Sequence, residues 1–236
     1  MSIQPAAQTA ASVVVLDYGL GNLRSATRGL ERAGATVEIT EEPDALASAD
    51  GIVLPGVGAF REGVENAAPY REAIRDAAAA GTPVLGICLG MQMLLTTSEE
   101  AAHAGEGDAE GLSLIPGRNV RFAGDLKVPH MGWNGLSVER EHPLVAGVDA
   151  AASETPRADE IARGGSVDGE YAYFVHSYYA VPDDERATVA TTGYGTRFPS
   201  VIADDSGTVF GTQFHPEKSG ETGLRILRNF VDLCAE

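Results

Sequence analysis

Three short apolar runs, VVVL (13–16), GIVLPG (51–56) and PVLGIC (83–88), alternate with stretches of helical periodicity, and that alternation leaves few folds open. A strand that is apolar at successive positions buries both faces, so it needs a layer of helix on each side. The intervening segments supply those layers. Leu23, Ala26, Leu30 and Ala33 form one stripe that ends at Gly34, TVEIT (36–40) follows, and further helices are expected around 67–80 and 89–97. The order β-α-β-α-β predicts an α/β fold built on a mostly parallel, doubly wound sheet.

The second half is shorter-grained and more alternating: SLIPG, NVRF, GLSV, EYAYFVHSYYAV, ATVATTGYG, FPSVIADD and TVFGTQFH, then a closing helix at about 219–234. These segments read as antiparallel strands added to the same sheet in the C-terminal half. The stretch 149–170 is rich in small and charged residues without apolar period and reads as a surface insertion; 103–110 reads as a smaller mobile loop. Residues 1–12 are expected to be a flexible N-terminal extension, leaving 13–236 as a single domain, a size that suits the 236-residue length and 44% hydrophobic content.

The formal net charge is −17 and no Lys/Arg cluster offers a footprint for a phosphate backbone, so nucleic-acid binding is excluded as a function class. The acidic residues are scattered, as on the solvated surfaces of salt-adapted proteins. No apolar run of about 18 residues is present and the first dozen residues lack a basic start and apolar core, so the expected setting is soluble and cytoplasmic, without a membrane. Cys88 and Cys234 lie far apart in sequence, which argues against a disulfide framework.

Gly86-Ile87-Cys88-Leu89-Gly90 has the G-x-nucleophile-x-G form of a nucleophile elbow between a strand and a helix. Small neighbours are needed because such a turn leaves no room for side chains, and a helix start behind the sulphur favours thiolate. Acyl transfer also needs a base and donors for an oxyanion. In FGTQFHPE (210–217), His215 follows a strand and Glu217 stands two positions on, placed to orient an imidazole. His130 and His176, in polar-aromatic segments, are alternative bases on composition alone, whereas His103 and His142 read as exposed. Pro55-Gly56-Val57-Gly58 follows a strand at a point where ligand sites form in such sheets, and its glycines can aim an amide inward. Gly19-Leu20-Gly21 has the look of a dinucleotide fingerprint, but Arg24 occupies the third glycine position, so no nucleotide cofactor is expected and the YGLGN loop is assigned another surface role. No metal is expected.

With GICLGMQ (86–92), FHPE (214–217) and PGVG (55–58), the chain resembles the class I (triad-type) glutamine amidotransferases. Within them, DYGLGNLRS (17–25), LPGVGAF (54–60), KVPHMGWN (127–134), YFVHSYY (173–179) and QFHPEKSG (213–220) resemble the glutaminase subunits of imidazole glycerol phosphate synthases, and these segments span nearly the whole chain in order. The resemblance implies a Cys88-His215-Glu217 triad that hydrolyses glutamine to glutamate and ammonia. It implies an oxyanion site at Gly56, Val57, Gly58 and Leu89, with glutamine held by Gln92, Glu100, Ser177 and Tyr178. It further implies a heterodimer with a (β/α)₈-barrel cyclase that consumes the ammonia in histidine biosynthesis, facing Asn22, Trp133, Tyr173 and Lys218, although Trp133 and Tyr173 also read as core aromatics. Low basal turnover, raised by the docked cyclase and its nucleotide, is expected if docking orders Gly56–Gly58. Rival readings are a glutaminase serving another pathway, a catalytically silent binding module, and a stand-alone cysteine hydrolase.

Overall fold

The computed structural model describes residues 10–100, 109–148 and 170–235. Residues 1–9, nearly all of the 103–110 loop and nearly all of the 149–170 insertion, as well as His103, lie outside the described residues. The first half contains β1 (Ser12–Leu16), α1 (Leu23–Ala33), β2 (Thr36–Thr40), β3 (Gly51–Gly56), α2 (Phe60–Ala67), α3 (Arg71–Ala79), β4 (Val84–Cys88) and α4 (Leu89–Leu94). The helix expected around 67–80 is divided: α2 starts earlier, and a 3-10 turn at Ala68–Tyr70 separates it from α3. Pro69 explains the division, because it has no N–H to continue α2 and its ring clashes with the preceding turn. The helix expected over 89–97 stops at Leu94.

In the second half, β5 (Thr97–Ser98), β6 (Gly117–Arg121), β7 (His130–Gly135), β8 (Ser137–Val138), β9 (Tyr171–His176), β10 (Tyr178–Pro182), β11 (Thr188–Tyr194), β12 (Thr196–Ala203) and β13 (Val209–Thr212) precede α5 (Gly220–Cys234). The large sheet runs β2-β1-β3-β4-β13-β12-β11-β8. Its first five strands are parallel, β13 included, and β12, β11 and β8 add on antiparallel. The expected fold class therefore holds.

The expectation that every later strand joins that sheet does not. β10, β6 and β5 form a three-stranded sheet, and β7 and β9 a two-stranded ribbon. SLIPG forms no strand; Ser113 there has φ +53, outside any ladder conformation. The run EYAYFVHSYYAV breaks at Ser177, where the chain leaves its pairing with β7 and takes up a new partner in β6.

Two cores cover the two faces of the large sheet, and strand periodicity divides residues between them. In β1, Val13 and Val15 belong to the core that α1 and α5 close with Leu30, Ile226, Leu227 and Phe230. Val14 and Leu16 belong to the other, which α2, α3 and α4 close with Phe60, Val64, Ile74 and Met91. Gly34 ends α1 in the left-handed conformation at φ +107, as its position predicts.

The central strands end together, so β3, β4 and β13 deliver Gly56, Cys88 and the residues after Thr212 to one edge of the sheet. Helix α4 follows β4 without a spacer and lies so close to β3 that a Cβ on Gly90 would fall 1.8 Å from the Leu54 carbonyl oxygen. Backbone cannot yield as a side-chain tip can. Gly90→Ala is expected to lower the free energy of unfolding by about 3 kcal/mol, read from urea denaturation, and a loss below about 0.5 kcal/mol would contradict this packing.

Candidate active site

Cys88 is the hinge of the elbow. Its backbone adopts φ +55 and ψ −108, a region that non-glycine residues avoid, at a cost of about 1–3 kcal/mol. Such a turn persists only where its surroundings fix it. Gly86 and Gly90 do so by close approach, since a Cβ on Gly86 would lie 2.6 Å from the Gly90 carbonyl carbon. The thiol is 6% exposed and opens into a cavity of about 350 Å³.

His215 arrives from the other side. Beyond β13 the chain bends at Gln213 and Phe214, and the His215 amide donates to the Tyr173 carbonyl at 3.0 Å. A 3-10 turn at Pro216–Lys218 then folds Glu217 back under the ring, and the Ser219 hydroxyl holds the His215 carbonyl at 2.6 Å. The result is a 2.9 Å contact between His215 Nδ1 and Glu217 Oε1, both side chains being only 2% exposed. A carboxylate only accepts, so Nδ1 carries a proton and Nε2 is the atom left for the cavity. Nε2 is buried without a hydrogen bond of ordinary geometry. Burial opposes charging the ring, but the nearby Cys88 sulphur and Glu217 outweigh it and raise the imidazole pKa to about 9.

The residues that the family resemblance assigns to the site largely converge. Val57, Gly58, Leu89, Gln92, Glu100, Ser177 and Tyr178 all border the cavity with Cys88 and His215. Gly58 has φ +110, a conformation that disfavours a side chain, and a Cβ there would only just touch Glu62 Oε2 at 3.7 Å and Leu20 Cδ2 at 4.0 Å. Gly56 is not brought to the wall: it sits opposite Cys88 in the sheet, and a Cβ there would collide with the Tyr18 hydroxyl, Gly90 N and Leu89 Cβ at 2.6–2.8 Å. Its lack of a side chain serves close packing. The loop Tyr18–Asn22 is likewise more than surface. The buried Tyr18 hydroxyl donates to the Pro55 carbonyl at 2.7 Å, and Gly21 lies against the same carbonyl, so the loop buttresses the PGVG segment from behind.

Gln92 donates through Nε2 to the Tyr178 carbonyl at 2.9 Å and to Gln213 Oε1 at 3.2 Å. Glu100 Oε2 accepts from the Phe60 amide at 2.8 Å, tying the start of α2 to the cavity rim. Sequence reasoning passed over Gln213, whose buried Nε2 points at Cys88 Sγ from 3.9 Å, and over Pro129 and Val175 on the wall. The signal available for Gln213 was its place two residues before His215, at the bend that follows β13. His176 lies on the cavity wall, but neither alternative base is free for proton transfer, because His130 and His176 are bonded to each other at 3.2 Å. His142, expected to be exposed, is half-buried and its Nδ1 accepts from the Leu144 amide at 3.1 Å.

Of the four residues assigned to a partner surface, Lys218 is exposed and Asn22, Trp133 and Tyr173 are half-buried. Trp133 and Tyr173 face each other across β7 and β9 with ring centroids 6.1 Å apart, on the same side of the ribbon as Met131, which is 63% exposed. Among the described residues, no three His, Cys, Asp or Glu side chains are grouped to hold a metal ion, and no helix is long and apolar enough to cross a membrane.

The site brings together a buried cysteine on an elbow, a histidine paired with a carboxylate, and a positive-φ glycine on the cavity wall. Residues 14–234 match the family described as glutamine amidotransferase class-I. The chain belongs to that family. Relatives include the imidazole glycerol phosphate synthase subunit HisH of Haloarcula marismortui, 72% identical over 97% of this chain and 98% of the relative, and that of Methanosarcina acetivorans, 46% identical over 94% and 98%. Solved structures agree with the architecture at lower identity. The structure of PurLQS from Thermotoga maritima superposes with a TM-score of 0.67 at 20% identity, covering 95% of this chain and 99% of the matching one.

Against burial, Cys88 and then Glu217 hold the His215 proton affinity up, and that has a pH signature. Because the folded-state pKa of about 9 lies above the ordinary 6.5, His215 contributes stability that is fully present below pH 6.5 and is lost as pH rises through 9. Glu217→Gln is expected to lower the His215 pKa, measured by NMR titration of the ring, and to destabilise the fold at pH 6 more than at pH 10. An unchanged titration would contradict the pairing.

Proposed function

We propose that this amidotransferase is the glutaminase subunit of a cytoplasmic imidazole glycerol phosphate synthase, with Cys88, His215 and Glu217 as its catalytic residues. The single observation that carries the chemistry is the His215–Glu217 pair, buried behind the elbow that presents Cys88. Identity to subunits of that name over nearly the whole length of both chains supports the pathway.

In this reading His215, whose pKa is raised to about 9, already holds the Cys88 proton on Nε2, and Cys88 Sγ attacks the side-chain carbonyl carbon of L-glutamine. The carbonyl oxygen becomes an oxyanion between the backbone amides of Gly58 and Leu89. Leu89 suits the task because it is the first residue of α4, whose leading N–H groups have no intrahelical acceptor. His215 returns the proton to the nitrogen, the C–N bond breaks, and ammonia leaves behind a glutamyl thioester on Cys88. Water then attacks the thioester with His215 again taking a proton, the C–S bond breaks, and glutamate departs, leaving Cys88 Sγ as thiolate and the proton on His215 Nε2, as at the start. Glu217 keeps Nδ1 protonated and the ring oriented throughout. The substrate's α-amino group is held by Gln92 Oε1 and Glu100, and its carboxylate by the Ser177–Tyr178 turn.

Ammonia released into water is protonated and lost to reaction, so the cavity must open onto the partner. The outer face of the β7–β9 ribbon, with Met131, Trp133, Tyr173 and Val175, borders the cavity through Val175 and provides an apolar surface for a cyclase, with Asn22 and Lys218 as polar contacts. Docking there is placed to change the order of Val57–Gly58 and so raise turnover.

Ammonia release from glutamine by the purified chain, alone and with cyclase plus nucleotide ligand, tests the proposal. Turnover should rise with the cyclase and should fall by about 10⁴-fold or more in Cys88→Ala. Turnover that depends on Cys88 but ignores the cyclase would remove the partner and leave the glutaminase. Turnover that survives Cys88→Ala would remove both.

A further inference from the structure

His130 and His176 take no part in the steps above, yet they are 3% and 5% exposed and lie among Phe122, Phe174 and Phe198, with ring centroids 5.1–6.2 Å apart. Two imidazoles in such a setting are costly unless every ring nitrogen is satisfied. The hydrogen bonds allow only one arrangement. His176 Nδ1 lies 2.8 Å from the Tyr178 carbonyl, which can only accept, so Nδ1 bears the proton. His176 Nε2 must then accept from His130 Nδ1 at 3.2 Å. His130 Nε2 in turn accepts from Asn134 Nδ2 at 3.5 Å, and the Asn134 amide is oriented independently by donating to the Gly193 carbonyl and accepting from the Gly135 amide. Burial keeps both rings neutral, lowering His130 to about 4 and His176 to about 3, so the order survives across the physiological range.

The chain of donors ends on the residue where β10 begins. The Tyr178 carbonyl receives two donors, His176 Nδ1 and Gln92 Nε2, while the Ser177 carbonyl is held by the Phe122 amide. A carbonyl clamped from two directions cannot rotate, and the adjoining peptide planes are fixed with it. These are the planes on the cavity wall at Ser177 and Tyr178. We propose that His176 is a positioning residue for glutamine: ordered by His130 and Asn134, it locks the Tyr178 carbonyl so that the Ser177–Tyr178 turn is preset for the substrate carboxylate. This rests on the glutaminase reading above. It predicts a defect in glutamine binding rather than in the reactivity of Cys88, and a requirement for a donor at Nδ1 rather than for a histidine as such.

The test compares His176→Asn, whose amide nitrogen stands where Nδ1 stood, with His176→Gln, whose amide reaches the Nε2 position instead. Both are assayed as the complex with cyclase and its nucleotide. His176→Gln should raise KM for glutamine about tenfold with kcat lowered less than about threefold, and His176→Asn should restore KM to within about threefold of the unsubstituted chain. Alkylation of Cys88 by iodoacetamide, which needs no carboxylate subsite, should change by less than about twofold in either variant. Equal KM for the two variants, or alkylation falling in step with kcat/KM, would overturn the proposal and leave His176 a packing residue. Should either variant fail to fold, ¹⁵N NMR of the unsubstituted chain decides: His176 must appear as the neutral Nδ1–H tautomer from pH 5 to 9, and an Nε2–H tautomer or a titration in that range would overturn it. An unsubstituted complex without Cys88-dependent glutaminase activity would instead sink the underlying reading.

Discussion

Where α4 meets β3, the Leu54 carbonyl occupies the space that a side chain on Gly90 would need. That contact lets the chain pass from β4 to α4 with a single residue at the corner, and the corner residue is Cys88. Its positive φ is the local cost of a turn this tight, offset by the packing of two glycines and the buried strand beneath. The sulphur is thereby held at the end of the central strands, where β3, β4 and β13 finish together and where the other groups of the cavity can reach it.

Each remaining group is delivered by a different device. His215 comes on the extension of β13 and is fixed by the Tyr173 carbonyl and Ser219, so the β9 ribbon and the start of α5 both register it. Glu217 comes on a proline-initiated 3-10 turn. The glycine at 58 comes on a loop whose base is pinned by the Tyr18 hydroxyl. Gln92, one turn into α4, and Gln213, two residues before His215, meet across the nucleophile and carry a line of amide hydrogen bonds from Cys88 to the Tyr178 carbonyl. The site thus sits at the junction of the large sheet with both small sheets, which is why strands remote from Cys88 in sequence contribute to one cavity of about 350 Å³.

Much of this was legible in the sequence. Strands such as VVVL and GIVLPG are apolar at every position, so their burial on both faces and their parallel pairing follow from composition alone. The elbow was legible because its glycines are demanded by backbone contact and not by side-chain preference. The division of the later strands into three sheets was not: short alternating segments fit any half-buried ladder, and nothing local to EYAYFVHSYYAV announces that Ser177 changes partners. Within the helix near 67–80 only the first turn differs, because Pro69 makes Ala68–Tyr70 a 3-10 turn ahead of α3. Among the histidines, composition alone left His130 and His176 as alternatives, and the strand-His-Pro-Glu arrangement favoured His215, against which Glu217 Oε1 lies at 2.9 Å. Only the mutual hydrogen bonding of the other pair in an aromatic nest, between residues 46 apart in sequence, was hidden from residue-level reading.

The central claim is that Cys88 forms a covalent bond to the γ-carbonyl of glutamine. It is tested most directly by acid-quenching the complex during turnover and mapping the chain by mass spectrometry. The account predicts a glutamyl adduct on the peptide that contains Cys88 and none on Cys234, with the adduct accumulating when attack of water is slowed. Steady turnover with no adduct on any peptide, or an adduct on Cys234, would contradict it.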